Sequence, residues 1–591
     1  MLLPLVWTAW LPASAMAEES VQPGCLTAVG VHQLTDFDPK LTGRTVRVAL
    51  VELSQSIMFD NGLSDYAFMP NFEHRSLTHV NLGDLYCYQN PHHPIVCSDH
   101  ATMIAGTLFG RDTSAGLADL GAFEYRGIVP DALVDVFETN WFIYKQVLAG
   151  VRESFDNDVI SISWGTDASD AITAWWQRGI DAMAQHQGVV IAAGCGNGSD
   201  DEFISISKPS WGYNVISVGA ASGLGDFPDF LQYIGPPIMT CSSFGPTDDG
   251  RCKPDIIAPG ICLSPSGYSD ETYNCEMTAV SYSSFAAPQI AGIAALLIDA
   301  VRQNDIAHAD DPRVIKALLL NGANKLIGWH KGNCGPRDDH EVPLDYQQGA
   351  GLVNAWNSYR HLIAGRYDPN DLSGPGDPND ANHGWDWGWV NFYPNDPDSQ
   401  RIYYMPQPLE PHSYFKATLC WYRHYQPQGI FEPLPLNVLT LELWSVDQQG
   451  NLSAKLDYSD STCDNLQHIY YYSPQAQSVA LIVNGIGSSV GDISYEPYGL
   501  AYCSGQDNWS GDLFSADLDA DGLVGVNDLL QLIYKILWAQ NNKHPIEEYL
   551  REDINADGQI NGLDLSKLAE QWQWRSIWNR PATPALVPSS F

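Results

Sequence analysis

The stretch Ser281-Tyr-Ser-Ser-Phe-Ala-Ala-Pro-Gln-Ile-Ala-Gly292 decides how the rest of the chain is read. A short run of hydroxyls ends there, and an apolar segment continues through Ile298. Residues apolar all the way round predict a buried helix rather than a surface one. Pro288 suits a first turn, where a missing N–H costs nothing, and Ala286, Ala287, Ala291 and Gly292 permit close packing. Ser284 then stands at the helix mouth, where unpaired backbone N–H groups and the positive end of the dipole favour developing negative charge. That position suits a nucleophile, although a serine-capped core helix is the commoner use of such a pattern.

Upstream, Val46-Arg-Val-Ala-Leu-Val51, Val159-Ile-Ser-Ile-Ser163, Gly188-Val-Val-Ile-Ala-Ala193 and Asn214-Val-Ile-Ser-Val-Gly-Ala220 are continuous apolar runs. Such runs predict strands buried on both faces. Helical patterns fall between them, notably Ala171 to His186. Strands alternating with helices imply a parallel sheet covered on both sides, with ligands outside the carboxyl ends of its strands. Downstream, residues 366–384 form a Pro/Gly/Asp linker. Beyond it, Tyr414 to Tyr422, Leu436 to Trp444, Ile469 to Tyr472 and Ser478 to Val483 are short, aromatic and β-branched, the signature of a β-sandwich.

A doubled pattern closes the chain. Asp517-Leu-Asp-Ala-Asp-Gly-Leu-Val-Gly-Val-Asn-Asp528 returns 36 residues later as Asp553-Ile-Asn-Ala-Asp-Gly-Gln-Ile-Asn-Gly-Leu-Asp564. Oxygen-bearing residues at loop positions 1, 3, 5 and 12, with glycine at 6, are what a calcium loop requires. Asp517, Asp519, Asp521, Leu523 (through its carbonyl) and Asp528 are the first ligand set. Asp553, Asn555, Asp557, Gln559 (through its carbonyl) and Asp564 are the second. Each loop runs into a leucine-rich helical pattern.

The net charge of −40 over 591 residues argues against nucleic acid and anionic membranes as partners. Met1 to Leu11 is a short apolar run followed by small residues through Ala17, which reads as a secretory signal too short to span a membrane. No Lys or Arg precedes Lys40, which points to a missing basic region upstream. No other run reads as a membrane span. Twelve cysteines agree with an oxidising compartment, and Cys87/Cys97, Cys241/Cys252 and Cys262/Cys275 are near enough in sequence to close small loops.

Four segments, in order, resemble the subtilisin-like serine proteases: His100-Ala-Thr-Met-Ile-Ala-Gly106, Ser242-Ser-Phe-Gly-Pro-Thr247, Lys253-Pro-Asp-Ile-Ile-Ala-Pro-Gly260 and Ser284 to Gly292. Gly349 to Ala355 resembles the close of such a domain. The resemblance implies an α/β fold with a parallel sheet flanked by helices, a polypeptide substrate, Ser284 as nucleophile and His100 as general base. Asp99 reads as a helix N-cap. The sandwich resembles a jelly-roll module, and the tail a small all-α type I dockerin that binds Ca2+ and takes a cohesin-like protein as partner. Val526-Asn527 and Gly562-Leu563 depart from the Ser-Thr pair of cellulosomal dockerins. The implied boundaries are a signal at 1–17, a catalytic domain at 18–365, the linker, a sandwich at 385–505, a dockerin-like domain at 511–575 and a tail at 576–591. The 28 residues from 18 to 45 are too few for an inhibitory prodomain.

The chain departs from the family at three places. Glu52 stands where an aspartate ends the first strand; it either orients His100 on one extra methylene or is a mere strand-end charge. Cys195 occupies the place of the oxyanion asparagine, so either the loop bulges to bring in Asn197 or that donor is lost. Tyr282 replaces a glycine, and a positive φ there would strain it. Ser163, Trp164 and Gly165 match the edge on which substrate adds as a strand. The leading expectation is a secreted serine endopeptidase; the alternative is an impaired pseudoprotease serving as a peptide-binding or assembly module.

Overall fold

The computed structural model describes residues 21–505, apart from 59–63, 89–94, 118–120, 149–153, 199–205, 222–241, 276–281, 327–328, 333–338, 370–381, 394–395, 488–494, 412 and 428. It also describes a few positions between 526 and 533 and the helix Gly562–Glu570. The signal segment and most of the dockerin-like segment therefore lie outside the described residues.

Seven parallel strands form the central sheet: β1 (Arg47–Glu52), β2 (Asn81–Tyr86), β3 (Leu133–Glu138), β4 (Val159–Ile162), β5 (Val190–Gly194), β6 (Ile216–Ala221) and β7 (Ile256–Pro259). Their order is β7-β6-β5-β4-β1-β3-β2. Side chains alternate across the sheet, so each apolar run feeds two cores. Val48 and Leu50 join one core with Ile104, Leu108 and Ile290, whereas Ala49 and Val51 join the other with Trp176 and Ile180. The first core holds helices α1 (Asp99–Phe109) and α3 (Ser283–Gln303), and the second holds α2 (Ala171–Gln187). Asp170 caps α2 by accepting from the N–H groups of Ile172 and Thr173, and Gly188 ends it in the left-handed region. Chain order reverses between β1 and β4, and the crevice at such a reversal is where a parallel sheet binds ligands.

Helix α3 is long and apolar enough to cross a membrane, but 94% of its apolar window is buried inside the domain. The segment before β1 is part of the same body. Val21–Gln22 pairs with Gly121–Arg126, and Leu26, Val29, Val31 and Leu34 lie in the first core. Cys25 is bonded to Cys262, 237 residues away. That pairing corrects the expectation of a local loop closed by Cys262 and Cys275. The Cys252 thiol donates to the Leu344 carbonyl, 3.2 Å away, and Cys241 lies outside the described residues.

Two four-stranded antiparallel sheets make the sandwich, ordered His383–Asn391, Tyr495–Gly505, Ser413–Trp421, Leu466–Ser473 and Gln400–Tyr404, Val479–Gly487, Val438–Val446, Leu452–Ser459. Phe415, Leu419, Leu441, Leu481 and Leu500 fill the space between them. The sandwich is not tethered loosely. Trp385, Cys420, Leu466 and Ala501 belong to the first catalytic core, and Arg366 pairs with Asp386 across the linker's ends at 2.8 Å. A buried polar chain also crosses: Lys325 Nζ lies 2.9 Å from His468 Nε2, and the Thr418 hydroxyl donates to Asn321 Oδ1 at 3.2 Å.

Helix α4 (Pro312–Gly322) lies on strand Tyr495–Gly505, and Gly499 sits under its first turn. A Cβ at 499 would run into the Arg313 carbonyl and come within 2.5 Å of Val314 N, all backbone. Gly499→Ala should therefore cost about 1–3 kcal/mol. Denaturant unfolding followed separately in both domains should show both midpoints falling together, because they share a core.

Candidate active site

Glu52 is the last residue of β1 and is 2% exposed. Its Oε2 lies 3.1 Å from His100 Nδ1, while Oε1 has no hydrogen-bond partner. An unpartnered buried carboxylate is costly, so the imidazole is the group that makes this one tenable. The extra methylene of glutamate spans the gap without a break in the strand. Its neighbour in register, Glu138 at the end of β3, is used differently: its carboxylate accepts from the N–H groups of Asn140 and Trp141. Two carboxylates thus end adjacent strands, one turned to an imidazole and one to a helix start.

His100 lies in the first turn of α1. The cap is Ser98, whose hydroxyl oxygen accepts from Ala101 N–H at 3.2 Å, not Asp99 as the sequence reading had it. Asp99 instead accepts from Gly267 N–H at 2.5 Å and the Ser266 hydroxyl at 3.3 Å, fastening the 266–267 turn beside the histidine. The His100 ring lies 6.3 Å, centroid to centroid, from Phe285, the residue after Ser284.

Ser284 is held by two bonds to one residue. The register Val51–Ile162 puts Ser163 level with Glu52, one position past the end of β4. Ser284 Oγ donates to the Ser163 carbonyl at 3.0 Å, and Ser163 Oγ donates to the Ser284 carbonyl at 2.8 Å. The second bond follows from Pro288. This proline lies in the second turn of α3, not the first, so it removes the N–H that would have bound the Ser284 carbonyl. Ser163 supplies the missing donor. Tyr282 precedes the helix with φ −121°, so the strain expected of a tyrosine there is absent.

The loop after β5 carries both Cys195 and Asn197. Cys195 is fully buried, with its thiol donating to the Ser243 carbonyl at 3.0 Å and its N–H to the Val218 carbonyl at 2.8 Å. Both its thiol and its N–H are thus engaged within the fold. Gly196 follows at φ +109°, where a side chain would strike the Ser207 and Ser243 hydroxyls. That turn carries Asn197 to the start of α3, where its Oδ1 accepts from Ser283 N–H at 2.8 Å. The amide oxygen being occupied, Asn197 Nδ2 is turned away from Ser283 N–H. Gly194 allows the approach: a Cβ there would come within 2.9 Å of Ser283 Oγ.

Of the expected substrate edge, Gly165 is exposed, Trp164 is half-buried against Trp176 at 5.9 Å, and Ser163 is buried beneath Ser284. The sequence did not reveal the Ser163–Ser284 pair or the part played by Glu138, since motifs name residues and not the hydrogen bonds between them. Asp517, Asp519, Asp521, Leu523, Asp528, Asp553, Asn555, Asp557 and Gln559 lie outside the described residues, and Asp564 lies on helix Gly562–Glu570 without a described side chain.

The subtilase family model matches residues 79–351, a segment that holds His100, Asn197 and Ser284 and begins after Glu52. The serine protease AprX of Bacillus subtilis is 30% identical over 351 residues, covering 54% of this chain and 67% of that protein. Pyrolysin of Pyrococcus furiosus is 30% identical over 234 residues, covering 35% of this chain but 15% of that protein. Among solved structures, the prenylagaramide maturation protease PagA matches with a TM-score of 0.35 at 22% identity, over 56% of this chain and 98% of that one. With its motifs in order on this sheet, and two-thirds of a relative's length matched at that identity, the chain belongs to the subtilase family of serine proteases.

Proposed function

We propose that the chain is a secreted serine endopeptidase in which Glu52 takes the orienting part usually given to aspartate. The observation that carries the reading is the Glu52–His100 pair standing level with Ser163, the residue that holds Ser284. For attack, the Ser284 hydroxyl leaves the Ser163 carbonyl by rotation about Cα–Cβ and passes its proton to His100. Glu52 keeps the other imidazole nitrogen protonated and balances the imidazolium that forms. The negative oxygen of the tetrahedral intermediate is met by Asn197 Nδ2 and the positive end of α3. His100 then returns the proton to the leaving amine, and water repeats the sequence on the acyl-enzyme. The exposed edge at Gly165 receives the peptide as an added strand.

One observation favours a second reading, an impaired protease that binds peptides: the Ser284 hydroxyl is engaged by a carbonyl. A fluorophosphonate probe separates the two. The first reading expects labelling of the wild type and none of Ser284→Ala; a folded wild type that neither labels nor cleaves casein leaves the second. The contact at 3.1 Å also makes Glu52 variants informative. In Glu52→Asp, shortening the side chain by about 1.5 Å withdraws the carboxylate, and kcat should fall by about 10². Glu52→Gln keeps the reach but loses the charge, and kcat should fall by about 10²–10⁴. Wild-type kcat in either variant would remove Glu52 from the mechanism.

The tail is read as a calcium-binding, dockerin-like module that takes a cohesin-like protein and so places the protease in a polysaccharide-associated complex. Its donor set is all oxygen, which fits Ca2+, and helix Gly562–Glu570 starts within the second loop, where the exit helix was expected. Calcium there would order the tail and take no part in peptide cleavage. Chelation should melt residues 511–575 while sparing protease activity. Unchanged circular dichroism of the isolated segment on calcium addition would remove the reading.

A further inference from the structure

Three metal-ligating side chains meet away from the active site, where the catalytic domain lies against the sandwich. His361 is on helix Ala355–Ile363, His383 opens strand His383–Asn391, and Cys503 lies on strand Tyr495–Gly505. The two strands are antiparallel neighbours with His383 directly opposite Cys503, so both side chains share one face. One ligand atom from each of the three lies within 4.8 Å of the others. The imidazoles of His361 and His383 are stacked, 5.7 Å between centroids and 26° between planes.

His361 is the telling member. It is 4% exposed, and neither ring nitrogen has a hydrogen-bond partner. A buried polar atom left without a partner costs about 1–3 kcal/mol. A neutral imidazole nitrogen offers a lone pair to a metal. The Asn321 main chain lies beside the ring, and the Asn321 side-chain amide donates to Cys503 Sγ at 3.6 Å. Amide donors to a ligating sulfur are the kind of surrounding contact that orients a metal ligand.

The charges around the cluster are positive. Lys416 is opposite Cys503 on strand Ser413–Trp421, and Arg360 adjoins His361 in sequence. A metal takes cysteine as its thiolate, which offsets one charge of a divalent ion. Two imidazole nitrogens and one sulfur suit zinc-class metals; calcium and magnesium demand oxygen.

We infer that His361, His383 and Cys503 bind one zinc-class divalent ion that clasps the last helix of the catalytic domain to the sandwich. Metal bonds of about 2.0–2.3 Å place tetrahedral ligands roughly 3.5 Å apart. Side-chain rotation closes the cluster to that size, leaving a fourth position for water. The ion ties three segments whose only covalent connections run through long stretches of chain, so its work is structural.

The test uses the full-length protein stripped with phenanthroline, which spares calcium, and reconstituted with Zn2+ or Co2+. One equivalent is expected to be retained, with X-ray absorption showing one sulfur and two imidazoles and the cobalt form showing a thiolate charge-transfer band. Stripping should lower Tm, with zinc restoring it. Cys503→Ser should abolish the band, and its affinity should fall by more than the ~10–100-fold that second-shell changes cost. His361→Gln should keep the sulfur band but weaken binding. A wild type that retains neither metal, or a shell without sulfur, overturns the inference; both measurements are made on wild type, so misfolding of a variant cannot decide the matter.

Discussion

The reciprocal pair of bonds between Ser163 and Ser284 ties the two parts of the structure that chemistry needs together. One partner ends a central strand and the other starts the buried helix. Each gives its hydroxyl proton to the other's carbonyl. The arrangement rests on Pro288, which frees the Ser284 carbonyl from its own helix. A helix buried on every side is rigid in rotation and translation, so fixing its first turn fixes Ser284. From that contact the remaining groups are positioned by the sheet: Glu52 by β1, Asn197 by the turn after β5.

The three departures from the family have separate outcomes for a common reason, local geometry. Glutamate at the end of β1 keeps contact with the imidazole, because the longer side chain reaches it from the same backbone position. Cysteine after β5 becomes a buried thiol, and a glycine at positive φ carries Asn197, two residues on, to the start of α3. Tyrosine before α3 meets an extended backbone that any residue adopts. Each change is absorbed within a few ångströms of the site.

The sandwich and the catalytic domain share one core rather than hanging as two modules on a string. Apolar residues from both fill one core, and the polar groups trapped at the seam bind one another. Burying Lys325, His468, Thr418 and Asn321 is tolerable only because they are mutually paired.

How much of this was legible in the sequence depends on the range of the interaction. Continuous apolar runs named the parallel strands, all-round apolarity named the buried helix, and ordered motifs named His100 and Ser284, because periodicity and motif spacing are local properties. Asp99 was misplaced by one residue as a cap and Pro288 by one turn, since helix ends are set by hydrogen bonds to groups elsewhere. The Cys25–Cys262 bond, the hold of Ser163 on Ser284, the retreat of Cys195 and the meeting of His361, His383 and Cys503 were not legible at all. Each joins residues distant in the chain or depends on which way a side chain turns, and only the packed tertiary structure brings such groups within bonding distance.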